Sequence, residues 1–136
     1  MTERRSVLVV EDNEIDLEVI VRALRRWEPD LRVDALADGD EVVPWLLRAV
    51  RLPRLMLLDL GLVGRNGRAV LRDIRREPVL AELAVVVLTS STDPRDVDEC
   101  YAAGANGYLV KSIDIALLQS TLIAGVTYWM RHPIAS

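Results

Sequence analysis

A single cysteine, a single lysine, no basic stripe and no long apolar run are the first things the sequence withholds, and each removes a class of protein. Cys100 alone cannot close an internal disulfide. The opening MTERRSVLVVED lacks the apolar stretch and small-residue cleavage site of a secretory leader, so a reducing, cytoplasmic setting is expected. The longest uncharged stretch, 115–130, has 16 residues and includes Gln119, Ser120, Thr121 and Thr127. A bilayer helix needs about 20 mostly apolar residues, so this stretch reads as a helix covered by protein, and no membrane partner is expected. The 17 basic residues are scattered among 21 acidic ones with a net charge of -4, which is no electrostatic footprint for nucleic acid. Sixteen of the 17 are arginine. Lys111, the exception, reads either as a chance survivor or as a place where a compact ammonium on a flexible stem is wanted instead of a planar fork.

What is present is ample for one core: 136 residues, 51% of them apolar, with no repeat, linker or low-complexity segment. The whole of 1–136 is therefore expected to form one domain, with no room for a second. Five short apolar runs, 6–10, 31–37, 55–60, 84–88 and 107–110, alternate with five helical patterns. Three of the runs contain VLVV, LMLL and VVVL, continuous rather than alternating, as in strands covered on both faces. The expected architecture is α/β, a (βα)5 doubly wound, five-stranded parallel sheet.

The first helix is expected over 14–27, with Ile15, Val19 or Ile20, Ala23 and Trp27 facing inward. The second spans 40–51, with Pro44 near its start shifting the first turn. The third begins at Asn66 and Gly67, buries Val70, Leu71 and Ile74, and stops before Pro78. The fourth has Asp93 as N-cap, Pro94 in its first position and Gly104 at its end. The fifth follows Ser112 and runs to Trp129, burying Ile115, Leu118, Leu122, Val126 and Trp129. Its other face, Leu117, Thr121, Ala124 and Tyr128, is more apolar than solvent requires and reads as a contact face for a partner or a second copy, with a merely tolerant surface as the bland alternative.

In an open parallel sheet, ligands collect at the carboxyl ends of the strands. The polar residues at those ends are Glu11 and Asp12, Asp59, Thr89 and Ser90, and Lys111. A carboxylate set between Leu58 and Leu60 is costly to bury unless something pairs with it. Mg2+, which takes hard oxygens, would supply that pairing through Asp12, Asp59, Glu11 and the Gly61 carbonyl. With Asp59 as nucleophile the product is an acyl phosphate, with Lys111 and Thr89 on the phosphoryl oxygens. Taken singly, Asp12 can also be read as a helix cap, Thr89 as a strand-end hydroxyl and Lys111 as a loop lysine. Convergence of the set on one sheet edge is what favours chemistry.

VLVVEDNE (7–14), LMLLDL (55–60) followed by Gly67, VVVLTSS (85–91) and AAGANGYLVK (102–111), in this order, resemble the receiver domain of two-component response regulators over nearly the whole chain. The resemblance implies a flavodoxin-like receiver fold, Asp59 as phosphoacceptor, Glu11 and Asp12 as the acidic pair, and Thr89 as the switch hydroxyl. It further implies Lys111 as reader of the phosphoryl, Tyr108 as the aromatic that moves between outward and inward positions, and a histidine kinase as donor. Such a module is no enzyme in its own right. VVEDNEID, the doublet Lys111 and Ser112, and the terminal pair Tyr128 and Trp129 are similar to small single-domain regulators paired with bacterial phytochrome kinases, several of which dimerise. A homodimer through the fourth helix, fifth strand and fifth helix is the corresponding expectation, with output through protein partners.

The chain departs from the family pattern in places. Ser112 stands where proline, often cis-linked, is usual, so a softer loop or a trans bond is expected. Gly61 stands where asparagine is frequent, and Val63 replaces a common proline. Three glycines in LGLVGRNG suggest mobility beside the acceptor. With Gly61 and Ser91 both small, the phosphorylated form is expected to decay in minutes. Three rival readings share the layout: a flavin carrier, a metal-dependent phosphatase, and a degenerate receiver that docks or dimerises without phosphorylation. The first needs a hydroxyl-rich loop where VVEDNE has acids, and the second needs an acid at Gly61.

Overall fold

The continuous apolar runs become strands buried on both sides because each feeds two separate cores. The computed structural model describes residues 5–62 and 66–131. Its strands are β1 (Ser6–Val10), β2 (Arg32–Leu36), β3 (Leu55–Asp59), β4 (Val85–Thr89) and β5 (Gly107–Val110). They form one parallel sheet in the order β2-β1-β3-β4-β5. The helices are α1 (Glu14–Trp27), α2 (Val42–Arg48), α3 (Gly67–Arg76), α4 (Pro94–Ala102) and α5 (Ile115–Arg131). Val7, Val9, Leu55, Leu57, Val86 and Leu88 pack with Ile20 and Leu24 of α1 and Leu118, Leu122 and Val126 of α5. The alternate residues Leu8, Val10, Met56, Leu58, Val85 and Val87 pack with Leu46 of α2, Leu71 and Ile74 of α3 and Cys100 of α4. The expected (βα)5 doubly wound sheet is therefore present. Its strand order reverses between β1 and β3, which opens a crevice at their carboxyl ends.

Several local details differ from the sequence reading. Ile15 is 72% exposed and Ile115 is exposed too, because both stand in the first turn of a helix that starts at the carboxyl edge, where no strand lies beneath. Leu24 joins Ile20 and Ala23 in the buried stripe of α1, and Met130 instead of the half-buried Trp129 closes that of α5. The second helix is shorter than expected. A 3-10 turn over Gly39–Glu41 precedes it, and Ala49 turns to extended backbone ahead of Pro53. Pro44 lies in the first helical turn, where a missing N–H costs nothing.

Helix boundaries near the site follow the caps. Asn66 Oδ1 accepts from Ala69 N at 3.0 Å and Asp93 Oδ1 from Arg95 N at 2.9 Å. Gly104, at φ 111°, ends α4 with the paired bonds Gly104 N to Tyr101 O and Ala105 N to Cys100 O, a conformation only glycine adopts readily. All peptide bonds among the described residues are trans, including the one before Ser112. The Ser112 hydroxyl accepts from Asp114 N at 3.0 Å, which stiffens the turn in the absence of proline. Val63 and Gly64, on which the reading of a mobile loop depended, lie outside the described residues.

Candidate functional site

The crevice at the switch point is built by the first residues beyond β1, the last residue of β3 and the residue following β5. Glu11 continues the β1–β2 ladder, its N–H donating to Leu36 O at 2.9 Å, and is only 2% exposed. The cap of α1 is Asn13, whose Oδ1 accepts from Asp16 N at 3.0 Å, so capping falls to Asn13 and not to Asp12. Oxygens of Glu11, Asp12 and Asp59 lie within 4.8 Å of one another. Gly61 N donates to Asp59 Oδ1 at 3.2 Å, which turns the chain sharply after the strand.

Lys111 enters from β5. Its N–H donates to Thr89 O at 2.7 Å, fixing the backbone, and its side chain reaches over the crevice. The ammonium Nζ lies 2.6 Å from Glu11 Oε1, 3.0 Å from Asp16 Oδ2 and 3.4 Å from Asp59 Oδ2. Thr89 ends β4 and is buried, while Ser90 beside it is exposed. Tyr108 is half-buried against the α2–α4 core, its hydroxyl donating to Ser91 O at 2.9 Å. The Ser91 hydroxyl donates to Asp96, which Arg68 of α3 pairs at 3.1 Å, so the β4–α4 loop is tied to two helices.

The charges explain why the site wants a cation. Burial, reinforced by the neighbouring Asp59, pushes the Glu11 carboxyl up to about 7 despite the opposing pull of Lys111. Burial alone would lower the Lys111 ammonium, but its bonds to Glu11 and Asp16 and the charge of Asp59 hold it above its ordinary value. One ammonium faces three carboxylates, and Asp12 adds a fourth to the crevice. The hard, crowded oxygens of Glu11, Asp12 and Asp59 fit a small divalent ion, and this cluster is a divalent-cation site.

All six strand-end residues singled out from sequence, Glu11, Asp12, Asp59, Thr89, Ser90 and Lys111, stand at one edge of the sheet, and Tyr108 lies within the neighbouring β5. Sequence reasoning missed Asp16, which looked like an ordinary acid in the first turn of α1. It also missed Arg75 and Asn106. Arg75 donates to Gly104 O at 2.8 Å and to Asn106 Oδ1 at 2.9 Å, and Asn106 Oδ1 also accepts from Val85 N at 2.7 Å. No spacing rule pairs residues so far apart in the chain.

A cation pocket wrapped around a strand-end carboxylate, with an ammonium facing it, suits a protein that holds a phosphoryl group and reports its presence. The class of protein that such an arrangement suits is a signalling module that accepts a phosphoryl group. The chain belongs to the response regulator receiver domain family, whose pattern matches residues 7–123. It is 35% identical over 128 residues to the probable methanogenesis regulatory protein FilR2 of Methanothrix harundinacea, covering 91% of this chain and 83% of that one. It is 32% identical over 129 residues to response regulator Rcp1 of Synechocystis, covering 91% and 88%. The crystal structure of the phosphorylated cyanobacterial phytochrome response regulator RcpA superposes with a TM-score of 0.90 at 29% identity over 97% of this chain and 98% of that one. The Mn(2+)-bound form of Rcp1 gives 0.86 at 30% identity over 97% and 99%. The family thus includes phytochrome response regulators, and a histidine kinase is its general partner. Among the described residues no helix is long and apolar enough to cross a membrane.

Proposed function

We propose that the chain works in the cytoplasm as one free-standing receiver domain, phosphorylated on Asp59 by a histidine kinase of the bacteriophytochrome kind. The observation that carries this reading is the cluster of Glu11, Asp12 and Asp59 oxygens within 4.8 Å, faced by Lys111. An Asp59 carboxylate oxygen attacks phosphorus as the phosphorus–nitrogen bond of the donor phosphohistidine breaks, and the imidazole leaves with the bonding pair. The product is an acyl phosphate. Glu11, Asp12, Asp59 and the Gly61 carbonyl would hold Mg2+, which when bound would supply charge neutralisation for the phosphoryl oxygens. Lys111 and the Thr89 hydroxyl take the remaining phosphoryl oxygens.

The signal leaves through α4, β5 and α5. Drawing Thr89 toward the phosphoryl strains the β4–α4 loop that Tyr108 grips through Ser91 O, and the aromatic shifts with it. Tyr101, Val110, Leu117, Ala124 and Tyr128 are exposed on these elements, Thr121 is half-buried, and Arg131 is the only charged residue of α5. The α5 part of this surface, so poor in charge, suits a second copy of the chain, with exposed Arg95, Asp98 and Glu99 of α4 beside it, and the reading is a homodimer whose output passes to protein partners. A Cβ at Gly61 would stand 4.0 Å from Asp59 Oδ1, so its lack leaves water a path to the phosphoryl. The phosphorylated form accordingly decays in minutes, and a half-life of many hours would refute this.

The test is intact mass after incubation with Mg2+ and acetyl phosphate. A gain of one phosphoryl group that requires both the metal and Asp59, and is lost in Asp59→Asn, is the expected result. No gain where another receiver is modified would favour a docking module that works without phosphorylation.

A further inference from the structure

Lys111 has three hydrogens on its ammonium and three acidic neighbours, Glu11, Asp16 and Asp59. Glu11 and Asp59 belong to the cation cluster, but Asp16 does not. A cation in the crevice competes with Lys111 for those two carboxylates, and Asp16, outside the cluster, is the partner left to the ammonium. It is also well anchored. Its backbone N–H donates to Asn13 Oδ1, it lies in the first turn of a 14-residue helix, and the helix N-terminus favours its negative charge. The contact spans 95 residues of chain and ties α1 to the end of β5 at 3.0 Å. No other described ion pair joins those two elements.

We infer that Asp16 is a positioning residue for phosphoryl capture: it holds the Lys111 ammonium over Asp59 once the metal has engaged Glu11 and Asp59. This rests on the proposed role of Asp59, although Asp16 touches neither metal nor phosphoryl and acts only through Lys111. A long flexible side chain without a fixed partner would sample many rotamers, and misplacement of the group that meets a phosphoryl oxygen slows transfer.

Because Lys111 is the only lysine, protein grown on 13C,15N-lysine and carrying a lysine-free tag gives one side-chain signal. In the native protein that signal is expected to remain restrained as Mg2+ is added. In Asp16→Asn it is expected to move to the position and width of a solvated lysine as the metal fills the site. With acetyl phosphate and Mg2+, Asp16→Ala should slow phosphorylation about tenfold, the size typical of losing a supporting contact. Asp16→Glu should recover most of the rate, and Asp16→Ala added to Lys111→Ala should slow it no further. The inference is overturned if the lysine signal behaves identically in Asp16→Asn, or if Asp16→Ala slows phosphorylation equally with and without Lys111. Should the native protein itself take no phosphoryl group, the Asp59 reading fails, and the lysine signal alone still decides whether Asp16 holds Lys111. Asp16→Asn keeps the shape and backbone bond of the native residue, so it guards against a folding defect in the alanine variant.

Discussion

Protons and metal ions compete for Glu11, and the competition can be sized. The Glu11 carboxyl is held up to about 7, first by burial and then by Asp59, so in the metal-free protein it is about half ionised at neutral pH. A divalent ion needs the ionised form. Between pH 8 and pH 6 the ionised fraction falls from about nine-tenths to about one-tenth, and Mg2+ affinity should weaken about tenfold over that range. Isothermal titration calorimetry at pH 6, 7 and 8 measures this directly, with Glu11→Gln as the control in which this step disappears. Stability runs the other way. A carboxyl whose folded value exceeds its unfolded 4.5 binds its proton more tightly in the native state, so its contribution is fully present below 4.5 and lost as pH rises through 7. The limit is about 3 kcal/mol, large beside the ~0.5 kcal/mol typical of surface changes. Urea unfolding in chelator should therefore show the native protein losing stability from pH 5 to pH 8 relative to Glu11→Gln. A native affinity for Mg2+ that is flat across pH, or one whose slope survives in Glu11→Gln, would refute the electrostatic account of the site.

Other expectations concern packing and docking. Asn106→Ala removes the acceptor shared by Val85 N and Arg75 and should cost about 2 kcal/mol, read as a lower urea midpoint with an unchanged slope. In Gly67→Ala the new Cβ would stand 2.7 Å from Asp59 O and from Leu60 Cα, so the start of α3 must move. A loss of about 1–3 kcal/mol is expected, together with slower phosphorylation by acetyl phosphate. Ile15 and Ile113 are exposed and lie one and two residues from the Asp16–Lys111 pair, on the rim a donor protein must approach. Replacing either by aspartate should reduce phosphorylation by a kinase while leaving acetyl phosphate as effective as before.

Periodicity made the sheet legible, since strands buried on both faces have to be continuously apolar, as VLVV, LMLL and VVVL are. The edge residues were legible for a related reason: charge at the end of an apolar strand has few bland explanations. Less legible was anything decided by where the sheet stops. Ile15 and Ile115 have the right helical phase for burial, yet phase does not reveal that their turns rise past the last strand residue. Asp16 was hidden by its ordinary setting, because an acid in the first turn of a helix satisfies a local rule and gives no sign of a partner 95 residues away. Arg75 and Asn106 were invisible for the same reason. Their partners are mostly backbone carbonyls and one amide, which carry no side-chain signature.

The alternation of side chains along the strands has one more consequence. Asp59 has the parity of Leu55 and Leu57, which belong to the α1–α5 core, whereas Thr89 has the parity of Val85 and Val87, which belong to the α2–α4 core along with Tyr108. The sheet acts as a dividing wall, with Glu11, Asp16 and Lys111 gathered toward one room and Ser91, Asp96 and Arg68 toward the other. The doorway lies only at the carboxyl edge. Substitutions in either core can therefore retune receipt or response separately, while changes at that short edge alter both together.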